Sequence, residues 1–161
     1  MNKTSSIVPA KDEHLEFAGN IAVKAWEPIR QEYRKMLGDS LYEAFFDGWQ
    51  SKKRKSVEDS LKKGRGYVAL VGSNVAGFIS YAVDEDTKTG EILENAVDSD
   101  FRGMGIGSMM YEFVIDKMRE EGMSYAVVTT GGDDGHAPAR RSYEKVGFEK
   151  FLPSVKYYRS I

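Results

Sequence analysis

Residues 102–110 read RGMGIGSMM, an arginine followed by three alternate glycines and then by an apolar run. Glycine disfavours a helix by roughly 1 kcal/mol relative to alanine, so three of them at a helix start indicate a need for bare backbone. The free N–H groups and the dipole of a helix start attract anions. Since Arg102 adds a full positive charge beside them, the segment predicts a phosphate or pyrophosphate site.

Two familiar phosphate-binding patterns do not fit this segment. A P-loop needs Gly-x-x-x-x-Gly-Lys-Ser/Thr, which the chain lacks. A dinucleotide fingerprint needs Gly-x-Gly-x-x-Gly, but Ser108 stands where the third glycine would follow Gly103. The strand before the glycines also belongs to a predicted meander rather than to a βαβ unit, which disfavours a nucleotide-binding oxidoreductase.

The composition is that of one globular domain, which we assign to residues 1–161. Apolar residues make up 41% and charged residues 30% of the chain, and the net charge of -2 disfavours a nucleic-acid partner. The absence of cysteine excludes disulfides, thiolate metal sites and a cysteine nucleophile, and no metal site is predicted. Neither a signal peptide nor an apolar run of about 20 residues is found. We therefore expect a cytoplasmic protein without a membrane partner.

The order of predicted elements indicates an α/β fold. Residues 12–63 have helical periodicity, with a break expected at Pro28. Residues 66–98 predict three strands of an antiparallel meander, separated by GSN and DEDTKTG turns. An amphipathic helix from Ile106, a strand over 124–130 and a helix with Pro138 in its first turn follow. Residues 148–161 predict one or two closing strands.

Two motifs in this order resemble the GNAT family of N-acetyltransferases. RGMGIG at 102–107 matches that family's Arg/Gln-x-x-Gly-x-Gly/Ala signature, and HAPARRSYEKVGF at 136–148 is similar to its second motif. The resemblance implies a mixed, mainly antiparallel sheet of six to seven strands flanked by about four helices. It places the acceptor side in residues 12–63 and the acetyl-CoA-binding core in residues 66–161.

The resemblance also implies which residues bind acetyl-CoA. Backbone amides of a glycine loop hold the pyrophosphate in this family, and the arm of the cofactor lies between two splayed strands. Asn95 and Ala96 are poor strand formers and fit a bulge, which would free the amide of Val97 for the thioester oxygen. His136 stands where the family commonly has an asparagine that contacts the cofactor, although it could instead cap the following helix. The predicted loop residues are Arg102, Gly103, Met104, Gly105, Ile106, Gly107 and Ser108.

Proton transfer is assigned in the same way. Tyr143 occupies the position from which the family's tyrosine protonates the departing thiolate, and it also lies beside the cofactor. Glu91 is similar to a glutamate that some members use as a general base, generally through water. Glu94 is its rival, on the opposite face of the strand unless the bulge intervenes.

The expected activity is transfer of an acetyl group from acetyl-CoA to a primary amine, by direct attack on the thioester. A small acceptor such as a polyamine, amino sugar or amino acid is the first hypothesis; a peptide acceptor or a non-catalytic acyl-CoA sensor is the alternative. A homodimer through the closing strand is left open. Aromatic and acidic residues of the N-terminal helices are candidates for the acceptor pocket: Trp26, Glu32, Tyr33, Phe45, Phe46, Asp47 and Trp49.

Overall fold

A computed structural model describes residues 5–161, so residues 1–4 of the assigned domain lie outside the described part. The strands are β1 (Ser5–Pro9), β2 (Gly66–Val71), β3 (Asn74–Asp84), β4 (Thr89–Val97) and β5 (Tyr125–Val128). The α-helices are α1 (Asp12–Leu37), α2 (Asp39–Phe46), α3 (Trp49–Lys62), α4 (Ile106–Glu120) and α5 (Ala137–Lys145). The predicted α/β class is confirmed.

The strands form a single mixed sheet in the order β1-β2-β3-β4-β5. The first three pairs are antiparallel, and the parallel pair β4–β5 is joined through α4. This five-strand sheet differs from the expected six to seven mainly antiparallel strands, because residues 149–161 form no strand. That segment instead reaches α2, where the Tyr158 ring lies 4.9 Å from that of Phe45.

Each face of the sheet is covered by helices, which explains the continuous apolar run in β3. Phe78 of β3 packs with α1 and α3 on one face. Its neighbour Ile79 packs with α4 on the other face, where the core extends to Tyr143 of α5. No helix within residues 5–161 combines the length and apolar character needed to cross a bilayer.

The expected break at Pro28 is wrong, since α1 continues through it. Proline removes one backbone donor from the helix ladder and is exposed here. Ile21 and Ala22 before it and Ile29 after it are all buried. Packing on both sides therefore holds the helix together across the missing hydrogen bond.

Strand β4 contains a bulge and then separates from β5. Ile79 is opposite Asn95, but Tyr81 is opposite Ile92, so two residues of β4 face Ser80 alone. The hydroxyl of Ser80 accepts a hydrogen bond from the Glu94 amide at 3.2 Å. The bulge thus lies just before the predicted Asn95–Ala96 position. Pairing with β5 ends at Ile92, opposite the last residue of β5, and the chain that follows Val128 separates from β4.

Candidate active site

A cavity of about 1180 Å³ fills the gap between the diverging strands. Its walls are the second half of β4, the loop before α4, the segment after β5, the first turns of α5 and one side of α1. The resemblance to the family implied strands that splay at this place, and the end of β4–β5 pairing at Ile92 agrees with it. The opening is where a long ligand can lie beside unpaired backbone groups of β4.

The glycine loop forms one end of this cavity. Gly103 and Gly105 have φ angles of 78° and 76°, in the left-handed region, and a Cβ at either position would meet no neighbouring atom. Glycine is needed there for its backbone conformation, and the open space leaves room for a ligand. Met104 is 53% exposed and is not among the wall residues. The predicted loop residues that line the cavity are Arg102, Gly103, Gly105, Ile106, Gly107 and Ser108.

The amide of Val97 is directed into the gap. The amide of the next residue, Asp98, donates to the carbonyl of Ala76 on β3 at 2.8 Å. Amides alternate in direction along an antiparallel strand, so the Val97 amide points away from β3. Val97 also lines the cavity. A donor at this point is available to an oxygen atom of a bound ligand.

Tyr143 shares Asn95 with a second buried tyrosine. The Asn95 side chain accepts from the Tyr111 hydroxyl at 3.0 Å and donates to the Tyr143 hydroxyl at 3.2 Å. The Tyr143 hydroxyl is 3.3 Å from the same Asn95 oxygen, which is nearer to Tyr111. With the amide as donor, the proton of Tyr143 is free for a group in the cavity. Sequence reasoning used Asn95 only as a bulge former and missed this role.

Burial makes the two tyrosines a pH-dependent part of the folding energy. It raises the pKa of both Tyr111 and Tyr143 above the ordinary value of about 10. As the pH rises, these tyrosines lose their protons in the unfolded chain before they do so in the folded chain. Their burial therefore stabilises the fold fully below about pH 9, and this stabilisation declines above about pH 10. Urea unfolding at about pH 8 and about pH 10.5 measures the decline. Tyr111→Phe should reduce it; an equal decline in the variant would contradict the assignment.

His136 is buried and held by a carboxylate. Its Nδ1 lies 2.7 Å from Oδ1 of Asp133, and its ring meets the Trp26 ring edge-on at 5.3 Å between centroids. His136 is the residue before α5, but its side chain makes no capping hydrogen bond, and it lines the cavity. Its expected contact with the cofactor stays a prediction. Asp133 was not singled out in the sequence. Its spacing of three residues from His136 could have indicated that the two side chains meet.

The two candidate carboxylates lie in different environments. Glu91 is exposed and is not among the wall residues of the cavity. Glu94 lines the cavity and is 2.7 Å from Lys53 Nζ and 2.8 Å from the Ser56 hydroxyl. Glu94, but not Glu91, therefore lines the same cavity as Tyr143 and Val97.

Helix α1 supplies the far wall. Of the seven aromatic and acidic acceptor candidates, only Trp26 and Tyr33 line the cavity. Trp49 is buried, and Phe45 is exposed. Within residues 5–161, no group of three or more potential metal-ligating side chains comes together.

Comparison with known proteins relates this geometry to a family. The model of the acetyltransferase (GNAT) family matches residues 27–148. Human N-acetylaspartate synthetase is 32% identical over 95 residues, a match that covers 56% of this chain but 30% of that protein. The chain thus matches less than a third of the length of this curated relative.

Two solved structures have the same fold at low sequence identity. The PaiA N-acetyltransferase of Thermoplasma acidophilum, in complex with coenzyme A, has a TM-score of 0.71 at 16% identity, covering 91% of this chain and 90% of that one. The ribosomal-protein-S18-alanine N-acetyltransferase of Escherichia coli has a TM-score of 0.65 at 18% identity, covering 92% and 80%. Because the family model spans most of the chain and the glycine loop, splayed strands and α5 tyrosine share one cavity, this protein belongs to the GNAT family of acetyltransferases.

Proposed function

We propose that the protein transfers an acetyl group from acetyl-CoA to a primary amine of a small molecule. The observation that carries the proposal is the cavity between β4 and β5, which has an anion-attracting glycine loop at one end and a buried tyrosine hydroxyl in its wall. The first feature suits a pyrophosphate and the second suits a leaving group that needs a proton.

The residues present fit acetyl-CoA. Arg102 and the amides of residues 103–108, including that of Met104, would hold the pyrophosphate, and His136 would contact the arm that lies between the strands. The amide of Val97 would donate to the thioester oxygen, where such a donor is commonly worth about 3 kcal/mol of barrier. Acetyl-CoA supplies the activated acyl group when bound.

Tyr143 is the proposed acid. Burial raises the pKa of its hydroxyl, so the proton is present at neutral pH. Asn95 keeps that hydroxyl oriented by donating to it at 3.2 Å, which leaves the tyrosine proton directed elsewhere. The thiolate formed as the amine attacks is the group that this proton would neutralise.

The base is proposed among two carboxylates. Glu91 is the assignment by family resemblance, and Glu94 is the one that lines the cavity. An attacking amine must first lose a proton, since a free alkyl ammonium group has a pKa of about 10. In either assignment the carboxylate would act through water, so the two residues need separate tests.

Paired amide substitutions test the base. Glu94→Gln should lower kcat by about 100-fold, the usual contribution of a general base, while Glu91→Gln should leave kcat within about twofold of the parent value. Affinity for coenzyme A should stay unchanged in both variants. A large loss in Glu91→Gln alone would instead establish the assignment by resemblance.

Titration calorimetry with acetyl-CoA, run beside NAD, tests the proposal directly, followed by thiol release over a panel of amines and peptides. Acetyl-CoA binding with release that depends on a small amine supports the proposal. Release only with peptides that carry a free N-terminus or lysine would favour a protein acceptor, and binding without release would favour a sensor. Absence of acetyl-CoA binding would overturn it. The name of the human relative, N-acetylaspartate synthetase, refers to an acetylated amino acid, which supports a small acceptor.

A further inference from the structure

Arg30 of α1 is a charged group without an acidic partner in the part of the chain that the structure describes. Its guanidinium carbon lies over four aromatic rings, at 4.5 Å from Phe46, 5.1 Å from Trp26, 5.5 Å from Trp49 and 5.6 Å from Tyr33. Its Nε is buried and has no hydrogen-bond partner within the described residues. We call this arginine with its four rings the aromatic box.

Arg34, the next arginine of the same helix, has the acidic partners that Arg30 lacks. Arg34, one turn later, is exposed and binds Asp39 at 2.6 Å and Glu43 at 2.7 Å. Arg30 makes no ion pair with any acidic side chain in residues 5–161, although it is the more buried of the two. A desolvated cation is costly unless it is paired, and contact with aromatic faces offsets only part of that cost.

The unpaired charge persists because an arginine stays protonated. Burial lowers the pKa of Arg30 from its usual value, yet a guanidinium remains cationic near neutral pH. Its planar fork is suited to two parallel hydrogen bonds with a carboxylate. The aromatic box therefore presents a cation that no carboxylate within residues 5–161 pairs with.

Arg30 is not itself a wall residue of the cavity, but its box adjoins the cavity through aromatic rings. Two of its rings, Trp26 and Tyr33, are also wall residues of the cavity. Lys53 lies over the other side of this region, with Nζ 4.4 Å from the Trp26 ring centre, but it is neutralised by Glu94. Arg30 therefore remains unpaired at this end within residues 5–161, where the Asp133 carboxylate binds His136 beside the Trp26 and Tyr33 rings.

We propose that Arg30 binds the carboxylate of the acceptor, so that the preferred acceptor is an amine that also carries a carboxylate, such as an α-amino acid. This inference rests on the proposed function and names the acceptor class. The amine is directed toward Glu94 and Tyr143, and the carboxylate toward the aromatic box. Acceptors with only positive charges, such as polyamines, are disfavoured by Arg30.

The two tryptophans of the chain report on this site without any turnover. Both Trp26 and Trp49 contact the Arg30 guanidinium, so the tryptophan fluorescence of the chain, excited selectively, comes from the aromatic box. L-aspartate should change the emission with saturation, while aspartic acid diamide at matched ionic strength should not. Arg30→Gln should abolish the change. Arg34→Gln, which alters the exposed arginine of the next turn, should retain it.

Kinetics give a second and independent measurement. For an amino-acid acceptor, Arg30→Gln should raise KM about tenfold or more, as expected for loss of a charge-assisted hydrogen bond. The KM of the matching amine without a carboxylate should not change. Affinity for coenzyme A confirms that the variant is folded; should it fail to fold, Arg30→Lys replaces it, because lysine keeps the charge but loses the fork.

The outcomes separate this inference from the proposed function. If aspartate changes the emission through Arg30 but no acceptor is acetylated, the carboxylate site stands and the proposed acetyltransferase activity is refuted. Suppose instead that Arg30→Gln lowers acetyl transfer to the amino acid and to the carboxylate-free amine equally. The proposed enzyme activity would then stand, and the carboxylate site would be overturned. An aspartate response that survives Arg30→Gln would also overturn it.

Discussion

Replacement of Tyr143 by phenylalanine should lower kcat by at least about 100-fold and leave the affinity for coenzyme A within about twofold of the parent value. The variant keeps the ring that packs 5.0 Å from Tyr111 and removes only the hydroxyl. In the proposed function the hydroxyl is the proton source and the glycine loop holds most of the cofactor, so only turnover should fall. Steady-state kinetics and calorimetry on the same preparation measure the two effects.

Tyr111→Phe is the matched control for this prediction. Tyr111 is equally buried and binds the same Asn95, but it donates its proton to that side chain and has none to give. Its replacement should lower kcat much less than the replacement of Tyr143. Equal losses in the two variants would mean that the tyrosine pair supports the fold around Asn95 and that neither hydroxyl is the acid.

Gly105→Glu should weaken binding of coenzyme A by more than about 100-fold. Gly105 caps the start of α4 with a φ of 76°, and its missing side chain leaves open space at the edge of the cavity. A glutamate there would place a carboxylate where a pyrophosphate is expected, so like charges would meet at the helix start. Titration calorimetry with coenzyme A measures the loss.

Gly122→Glu separates charge from backbone strain. Gly122 follows the other end of α4 with a φ of 82°, and a Cβ there also meets no neighbour. Both variants thus force a side chain into the left-handed region at similar conformational cost, but only one introduces charge at the cavity. Unchanged cofactor affinity in Gly105→Glu would remove the argument for a phosphate site at the glycine loop.

The sequence was sufficient for the meander and for the glycine loop. Turn residues separate the strands, and apolar periodicity begins immediately after Gly105, so local patterns predict both. Ile106, Met110, Val114 and Met118, which recur at helical spacing, are all buried in one core. Such features depend on the chain within a few residues of each position, which is why no tertiary information was needed.

The closing strand shows where this reasoning fails. Residues 155–158 read VKYY, a pattern compatible with a strand, but a strand also needs a partner. Tyr158 contacts the aromatic residues Phe45 and Phe46 of α2 instead. Residues 155–158 could pair as a strand or pack on α2, and only the tertiary positions of α2 and β5 decide between the two.

The candidate site was predicted in part. Family motifs led to the loop and to Tyr143, but Asn95 and Arg30 carry no motif and depend on contacts between distant elements. Asn95 meets residues 16 and 48 positions away. Arg30 has the spacing of an ordinary helix residue, and its significance comes from aromatic rings that α1, α2 and α3 bring together.

The divergence of β4 and β5 makes this sheet incomplete on its own. Beyond Ile92 no strand within residues 5–161 pairs with β4 on the side of β5, so a ligand that fills the gap would take the place of a missing strand. Such a ligand binds the folded chain and not the unfolded one, and at about 100 times its dissociation constant it adds about 2.7 kcal/mol to stability. The lifetime of this protein against unfolding and proteolysis would then follow the supply of its cofactor.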